Sequence, residues 1–111
     1  MHLLIRTLKK RYIGFRLVSD RVHSRREVLT LVVTEVDAMR GDHERMMRVR
    51  LLDYDGETGV GMLRCDHKSV EKVRKAFSRI QSKNRGTTTI QMVGVSGTIK
   101  ALKRKFLSKM G

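Results

Sequence analysis

In the stretch VGVSGTIKALKRKF, residues 93–106, two glycines, a Ser and a Thr lead into four cations within six positions. Glycine, hydroxyl and Lys in that order could cradle a nucleotide phosphate. A P-loop, however, needs the spacing G-x-x-x-x-G-K-[ST], so that backbone N–H groups surround the phosphate and the Lys reaches it. Here Gly94 and Gly97 are three apart and Lys100 follows three later. That spacing makes no such cradle. A dinucleotide fingerprint fails as well, since it needs a third glycine and a parallel βαβ unit. What remains is a strand-to-helix turn. Gly97 lets the chain bend or approach a ligand, Ser96 or Thr98 caps the helix, and the first-turn N–H groups can meet an anion. The helix that follows carries Lys100, Lys103, Arg104, Lys105 and Lys109 with no acid among them. Solvated helix faces ordinarily mix signs. Repulsion at this density is a cost that a polyanion offsets.

The other reactive residue types form no constellation in the sequence. The histidines, at 2, 23, 43 and 67, have no ligand spacing, and Cys65 with His67 is one C-x-H pair, too few ligands for zinc. Asp53 and Asp55 fall where a hairpin turn wants Asp. Ser19-Asp20 and Ser69 have no general base at a recognisable spacing. Neither a bound metal nor a catalytic side chain is expected, so a small enzyme stays a rival without a motif behind it.

The charge balance agrees. With 25 Lys/Arg against 11 Asp/Glu the net charge is +14 over 111 residues. Residues 1–63 hold 12 cations and 9 acids, and residues 64–111 hold 13 and 2. Such a surface selects nucleic acid or an anionic membrane as partner, met mainly by the C-terminal half. Without Trp and with three Phe, the chain has a poor set of membrane anchors. One Cys precludes an internal disulfide and fits a reducing, cytoplasmic setting. The opening apolar run is too short for a signal peptide or a membrane span.

These residues must be positioned by one domain, residues 1–111. RYIGFRLVS alternates Ile13, Phe15 and Leu17 with Tyr12, Gly14 and Arg16, which is a half-buried strand. Ser24 with Glu27 makes a capping box ahead of Val28, Val32, Val36 and Met39 at helical spacing. Leu29 and Val33 widen that face. The β-branched run LTLVV could argue strand, but the cap and the length favour helix. MRVRLLDY and VGMLRC are strands joined by DGETG. Asp66 caps HKSVEKVRKAFSRIQ, whose apolar stripe is Val70, Val73, Phe77 and Ile80, with Lys68, Lys72, Lys75 and Arg79 as a second, cationic stripe. Gly86 ends it. TTTIQMVGV is the fourth strand and TIKALKRKFLSKM the last helix. The order β-α-β-β-α-β-α predicts an α+β, ferredoxin-like split βαβ fold: a four-stranded antiparallel sheet with helices packed on one face. Val60, Met62 and Val93 are then expected on the open face, as a contact surface for a partner or a second copy.

RNA-recognition modules share this topology but stack bases on aromatics of the third strand. Here that strand, TGVGMLRC, has none, and only Tyr12 on the first could stack a base. Contacts to phosphate and RNA shape are expected instead, strongly salt-dependent and weakly selective. Arg suits bidentate phosphate contacts, which singles out Arg11, Arg74, Arg79 and Arg104.

Three segments, RYIGF at 11–15, TGVGMLRCDHKSVEKVRKA at 58–76 and VGVSGTIKALKRKFL at 93–107, resemble the archaeal ribonuclease P protein component 2 family. Related chains tend to carry Pro ahead of the R-Y-I block, and this one does not. The resemblance implies an RNA-binding protein subunit of an enzyme that removes the 5′ leader of precursor tRNA. It implies Mg²⁺-dependent chemistry in the RNA subunit, no cofactor on the protein, and contact with the catalytic domain of that RNA. It also implies a protein partner, component 3, in a 2:2 heterotetramer, and precursor tRNA met through the holoenzyme. The expected RNA contacts are Lys9, Lys10, Arg11, Lys68, Lys72, Arg74, Lys75, Arg79, Gly97, Lys100, Lys103, Arg104, Lys105 and Lys109. A ribosomal or other structural RNA binder is the second rival.

Overall fold

A computed structural model of the chain describes residues 9–41 and 48–106. β1 (Lys10–Ser19) buries Ile13, Phe15 and Leu17, so the alternation read from the sequence decides its faces. Ser24 opens α1 (Arg25–Ala38) with both halves of the capping box: its Oγ accepts from the Glu27 N–H, and Glu27 accepts from the Ser24 N–H. Two first-turn donors are thereby satisfied, which is how the β-branched run LTLVV is carried in a helix. Val28, Val32 and Val36 are buried as the spacing predicts, while Val33 stays exposed and Glu35 is buried instead.

β2 (Arg50–Tyr54) and β3 (Val60–Asp66) form the hairpin, with the Gly59 N–H donating to Asp55 C=O at 2.8 Å. Met47, expected in β2, lies outside the described residues. Asp66 caps a single 3₁₀ turn, His67–Ser69, that leads into α2 (Val70–Lys83). Gly86 takes the left-handed position after it, at φ +82°. β4 (Thr88–Ser96) and α3 (Ile99–Lys105) complete the order, with Thr98 Oγ1 accepting from the Ala101 N–H as the cap. The expected continuation of α3 to residue 110 lies outside the described residues from 107 onward.

The sheet order is β2-β3-β1-β4, every pair antiparallel. β2 and β4 are its edges. The core between the sheet and α1 and α2 centres on Phe15, which faces Phe77 edge-on at 6.2 Å and stacks with Tyr54 at 6.3 Å. Gly61 pairs with both Phe15 and Tyr54. A side chain there would meet the Phe15 ring at 2.4 Å, so glycine is what admits the ring. Fully burying one such side chain is worth about 2–3 kcal/mol.

α1 and α2 share one face of the sheet, as expected. α3 departs from that layer. Gly14 and Gly94 pair directly and point away from Ile13 and Phe15, and a Cβ on Gly94 would sit 2.4 Å from the Phe106 ring. Phe106 and its helix therefore lie across the opposite face, over β1 and β4. Leu102 of α3 and Met62 of β3, both essentially buried, are outside the main core. Met62 was expected on an open surface; its partner in register is Gly14, so it lies on the face that carries α3, and it is buried there. Val60 and Val93 are half-buried.

Candidate nucleic-acid interface

The start of β1 and the ends of β3 and β4 meet at one end of the sheet. Lys10 pairs with Asp66, and Tyr12 pairs with Ser96. The His67 N–H donates to Lys9 C=O at 2.7 Å, tying the 3₁₀ turn to the first strand. Arg11 Nη1 donates to Lys10 C=O at 3.0 Å and lies 3.8 Å from where a Gly97 side chain would begin. Six expected contacts, Lys9, Lys10, Arg11, Lys68, Gly97 and Lys100, thus gather at this end. From it α3 carries Lys100, Lys103, Arg104 and Lys105, all exposed, onto the second face of the sheet. Asp66, the acid of the same end, has its carboxylate occupied by the Lys68 N–H and the Ser69 hydroxyl, each at 3.0 Å. With only seven residues, α3 offers an anion its side-chain charges rather than a helix dipole.

The remaining expected contacts are not brought to this surface. Lys72, Arg74, Lys75 and Arg79 ride on α2, in the helix layer beyond the sheet. Arg79 Nε and Lys83 Nζ both lie 2.9 Å from the carboxylate of Glu35, a side chain 7% exposed. Arg74 Nε reaches Glu71 at 3.4 Å. The helical pattern of α2 displays its cations, but it does not tell that the sheet separates them from α3, or that an acid of α1 waits for Arg79. Lys83 first, then Arg79, hold Glu35 below the usual carboxylate range against the cost of its burial. Lys109 lies outside the described residues.

The structure also brings together a serine and a base that the sequence did not suggest. Ser19 Oγ is 2.9 Å from His23 Nε2, and His23 Nδ1 is 3.8 Å from Glu27 Oε2. The histidine is 5% exposed. A nucleophile needs its base held by a third group within hydrogen-bond reach, and 3.8 Å is beyond it. Glu27 is committed to the Ser24 N–H and Arg21, which hold its carboxyl down at about 2, and Ser19 shares its hydroxyl with Thr88 at 3.0 Å. The cluster pins the end of β1 to the starts of β4 and α1. Four residues across an irregular turn carry no spacing that would announce it. Cys65 is equally quiet, its thiol pushed up to about 12 by burial, with Asp66 adding to it. Among the described residues no group of His, Cys, Asp and Glu could hold a metal ion, and no helix is long and apolar enough to cross a membrane.

The sequence profile of the Rpp14/Pop5 family matches residues 11–107. The chain belongs to this family. Ribonuclease P protein component 2 of Pyrococcus horikoshii is 36% identical over 104 residues, which cover 93% of this chain and 87% of the relative. The protein of the same name from Pyrococcus abyssi is 36% identical over 104 residues, 93% of this chain and 88% of its own. That from Methanosarcina mazei is 32% identical with the same coverage. The resemblance drawn from three short segments thus extends over nearly the whole chain.

In this member of the Rpp14/Pop5 family, three arginines join the cationic surface that the sequence reading did not single out. Arg16, Arg50 and Arg64 leave the core by strand alternation and point to the same face as α3, with Arg64 half-buried and the others exposed. The period-two pattern was the available signal. The positions between the core residues of β1, β2 and β3 face the other side of the sheet.

Proposed function

We propose that this chain is an RNA-binding subunit of ribonuclease P that supports RNA-catalysed removal of the 5′ leader from precursor tRNA. The observation that carries the reading is the coincidence of family membership across residues 11–107 with an exposed cluster of cations on α3 and at the start of β1. Lys9, Lys10, Arg11, Lys68, Lys100, Lys103, Arg104 and Lys105 neutralise phosphates there. Gly97 keeps the approach open. Lys72, Arg74, Lys75 and Arg79 serve a second face, with Arg79 partly committed to Glu35. Chemistry belongs to the RNA subunit and its Mg²⁺, with its catalytic domain as the site of contact. Precursor tRNA is met through the holoenzyme, in the cytoplasm, and ribonuclease P protein component 3 is the protein partner, as a 2:2 assembly.

The test is binding of purified full chain to ribonuclease P RNA as salt is raised. With six or more phosphate contacts, affinity falls by ~10³-fold between about 50 and 200 mM salt. Exchanging Lys103, Arg104 and Lys105 together for Gln weakens binding and leaves the melting temperature in place. A flat salt response, or full affinity in a folded triple variant, refutes the assignment.

A further inference from the structure

Ser96, Tyr12, Arg64 and Arg50 stand in one register row across all four strands. The next row, Val95, Ile13, Leu63 and Leu51, faces the core, so strand alternation turns the first to the opposite face. Arg64 and Arg50 are therefore direct cross-strand neighbours of like charge, an arrangement that costs stability when nothing offsets it. Among the described residues neither guanidinium has a carboxylate partner. Beside them stands Tyr12, half-buried on its strand. The adjacent row, Gly94, Gly14 and Met62, lies under α3, so the cationic helix runs alongside this one.

We propose that this row holds one unpaired nucleotide of the RNA, its base laid on Tyr12 and its phosphate taken by Arg64 and Arg50. The proposal rests on the RNA-binding reading above and gives it a site of a different kind. Phosphate contacts on α3 accept any helix. A ring on Tyr12 requires a base that is not already stacked and paired, because a duplex turns its bases toward each other. An aromatic face next to cations is the platform that single strands use, and it is tolerant of sequence because every base has a π-face. The two guanidiniums supply planar donors for the phosphate. The like charges of Arg64 and Arg50 then become an asset once the anion sits on them.

The test uses the full chain, a fluorescent octamer of uridines, and folded ribonuclease P RNA, titrated in parallel. Tyr12→Leu should weaken octamer binding about tenfold, the scale of one lost stacking contact, with the salt slope kept. Tyr12→Phe should restore it. Arg50→Gln with Arg64→Gln should lower the octamer's salt slope by about 0.7, the share of one single-strand phosphate, without lowering the melting temperature, since a repulsion is removed. Unchanged octamer affinity in these variants overturns the proposal. So does an octamer that fails to bind while the folded RNA binds, and in that case the RNA-binding reading stands. Failure of both RNAs to bind overturns that reading itself. Should Tyr12→Leu unfold, the double Arg variant decides alone.

Discussion

Gly94→Ala tests whether α3 is seated as described. A methyl at residue 94 would lie 2.4 Å from Phe106 Cδ2 and Cγ and 2.7 Å from Cδ1. Carbon atoms in contact prefer about 3.5–4.0 Å, so the ring must retreat by roughly 1 Å or more. Overpacking of this kind costs about 1–3 kcal/mol. Phe106 is half-buried and stands at the C-terminal end of its helix, so it can give way, and the lower half of the range applies, about 1–2 kcal/mol. Complete release of α3 would cost more, because it would also expose Leu102, now 0% exposed. For a domain of this size the melting temperature should drop by about 5–10 °C. The measurement is thermal unfolding by circular dichroism of Gly94→Ala, Phe106→Ala and the double variant. With Phe106 already truncated, the methyl has nothing to strike and should cost less than ~0.5 kcal/mol. Equal costs in the two backgrounds, or no change in Gly94→Ala alone, would falsify the placement of α3 on the second face.

Glu35→Gln leaves Arg79 and Lys83 without their shared carboxylate. Because those cations are 44% and 57% exposed, denaturant unfolding should register a loss of about 1–2 kcal/mol rather than the 3–5 of a fully buried pair. Ser24→Ala removes the cap of α1 and should cost about 1 kcal/mol in the same assay; an unchanged midpoint would show that the box contributes nothing. Glu27, depressed to about 2 from 4.5, contributes stability that is present above the unfolded value and lost as pH falls from about 4.5 toward 2. Melting temperatures across that window should fall less steeply in Glu27→Gln than in the parent chain, and parallel curves would contradict the assignment. The Cys65 thiol, held near 12, should resist a thiol reagent at pH 8 until the chain unfolds; rapid labelling of native protein would mean that the core admits solvent there.

Much of this architecture could be read from residue order because local rules and tertiary packing agree. Alternation at Ile13, Phe15 and Leu17, the box at Ser24 and Glu27, the turn at Asp55–Gly59 and the glycine at 86 each state a choice that the fold then keeps. What could not be read depends on register. A helix pattern shows that Leu102 and Phe106 are one side of α3, but not which face of the sheet receives them. That is settled by Gly14 and Gly94 meeting across two strands, which no local window contains. The same holds for the site. Arg50 and Arg64 are fourteen residues apart in the chain and become neighbours only through the β2–β3 pairing. Glu35 left a trace: an acid between Val32 and Val36 on the apolar side of α1 must find a cation, and Arg79 and Lys83 meet it. Its consequence, a cationic stripe on α2 partly consumed inside the molecule, follows from the packing of two helices and not from either one.

β4 closes the sheet, and among the described residues no strand lies beyond it. Its nine residues, TTIQMVGVS, include no Lys, Arg, Asp or Glu, and its main interruption is the irregular pairing opposite Gly14 and Phe15. An uncharged rim of this length is a template for another strand. The +14 carried by the molecule opposes such pairing between two copies, with a reach of only about 8 Å at physiological ionic strength. Concentrated salt therefore acts twice on the free protein: it loosens the hold on phosphates, and it lifts the repulsion that stops neutral rims from zipping together.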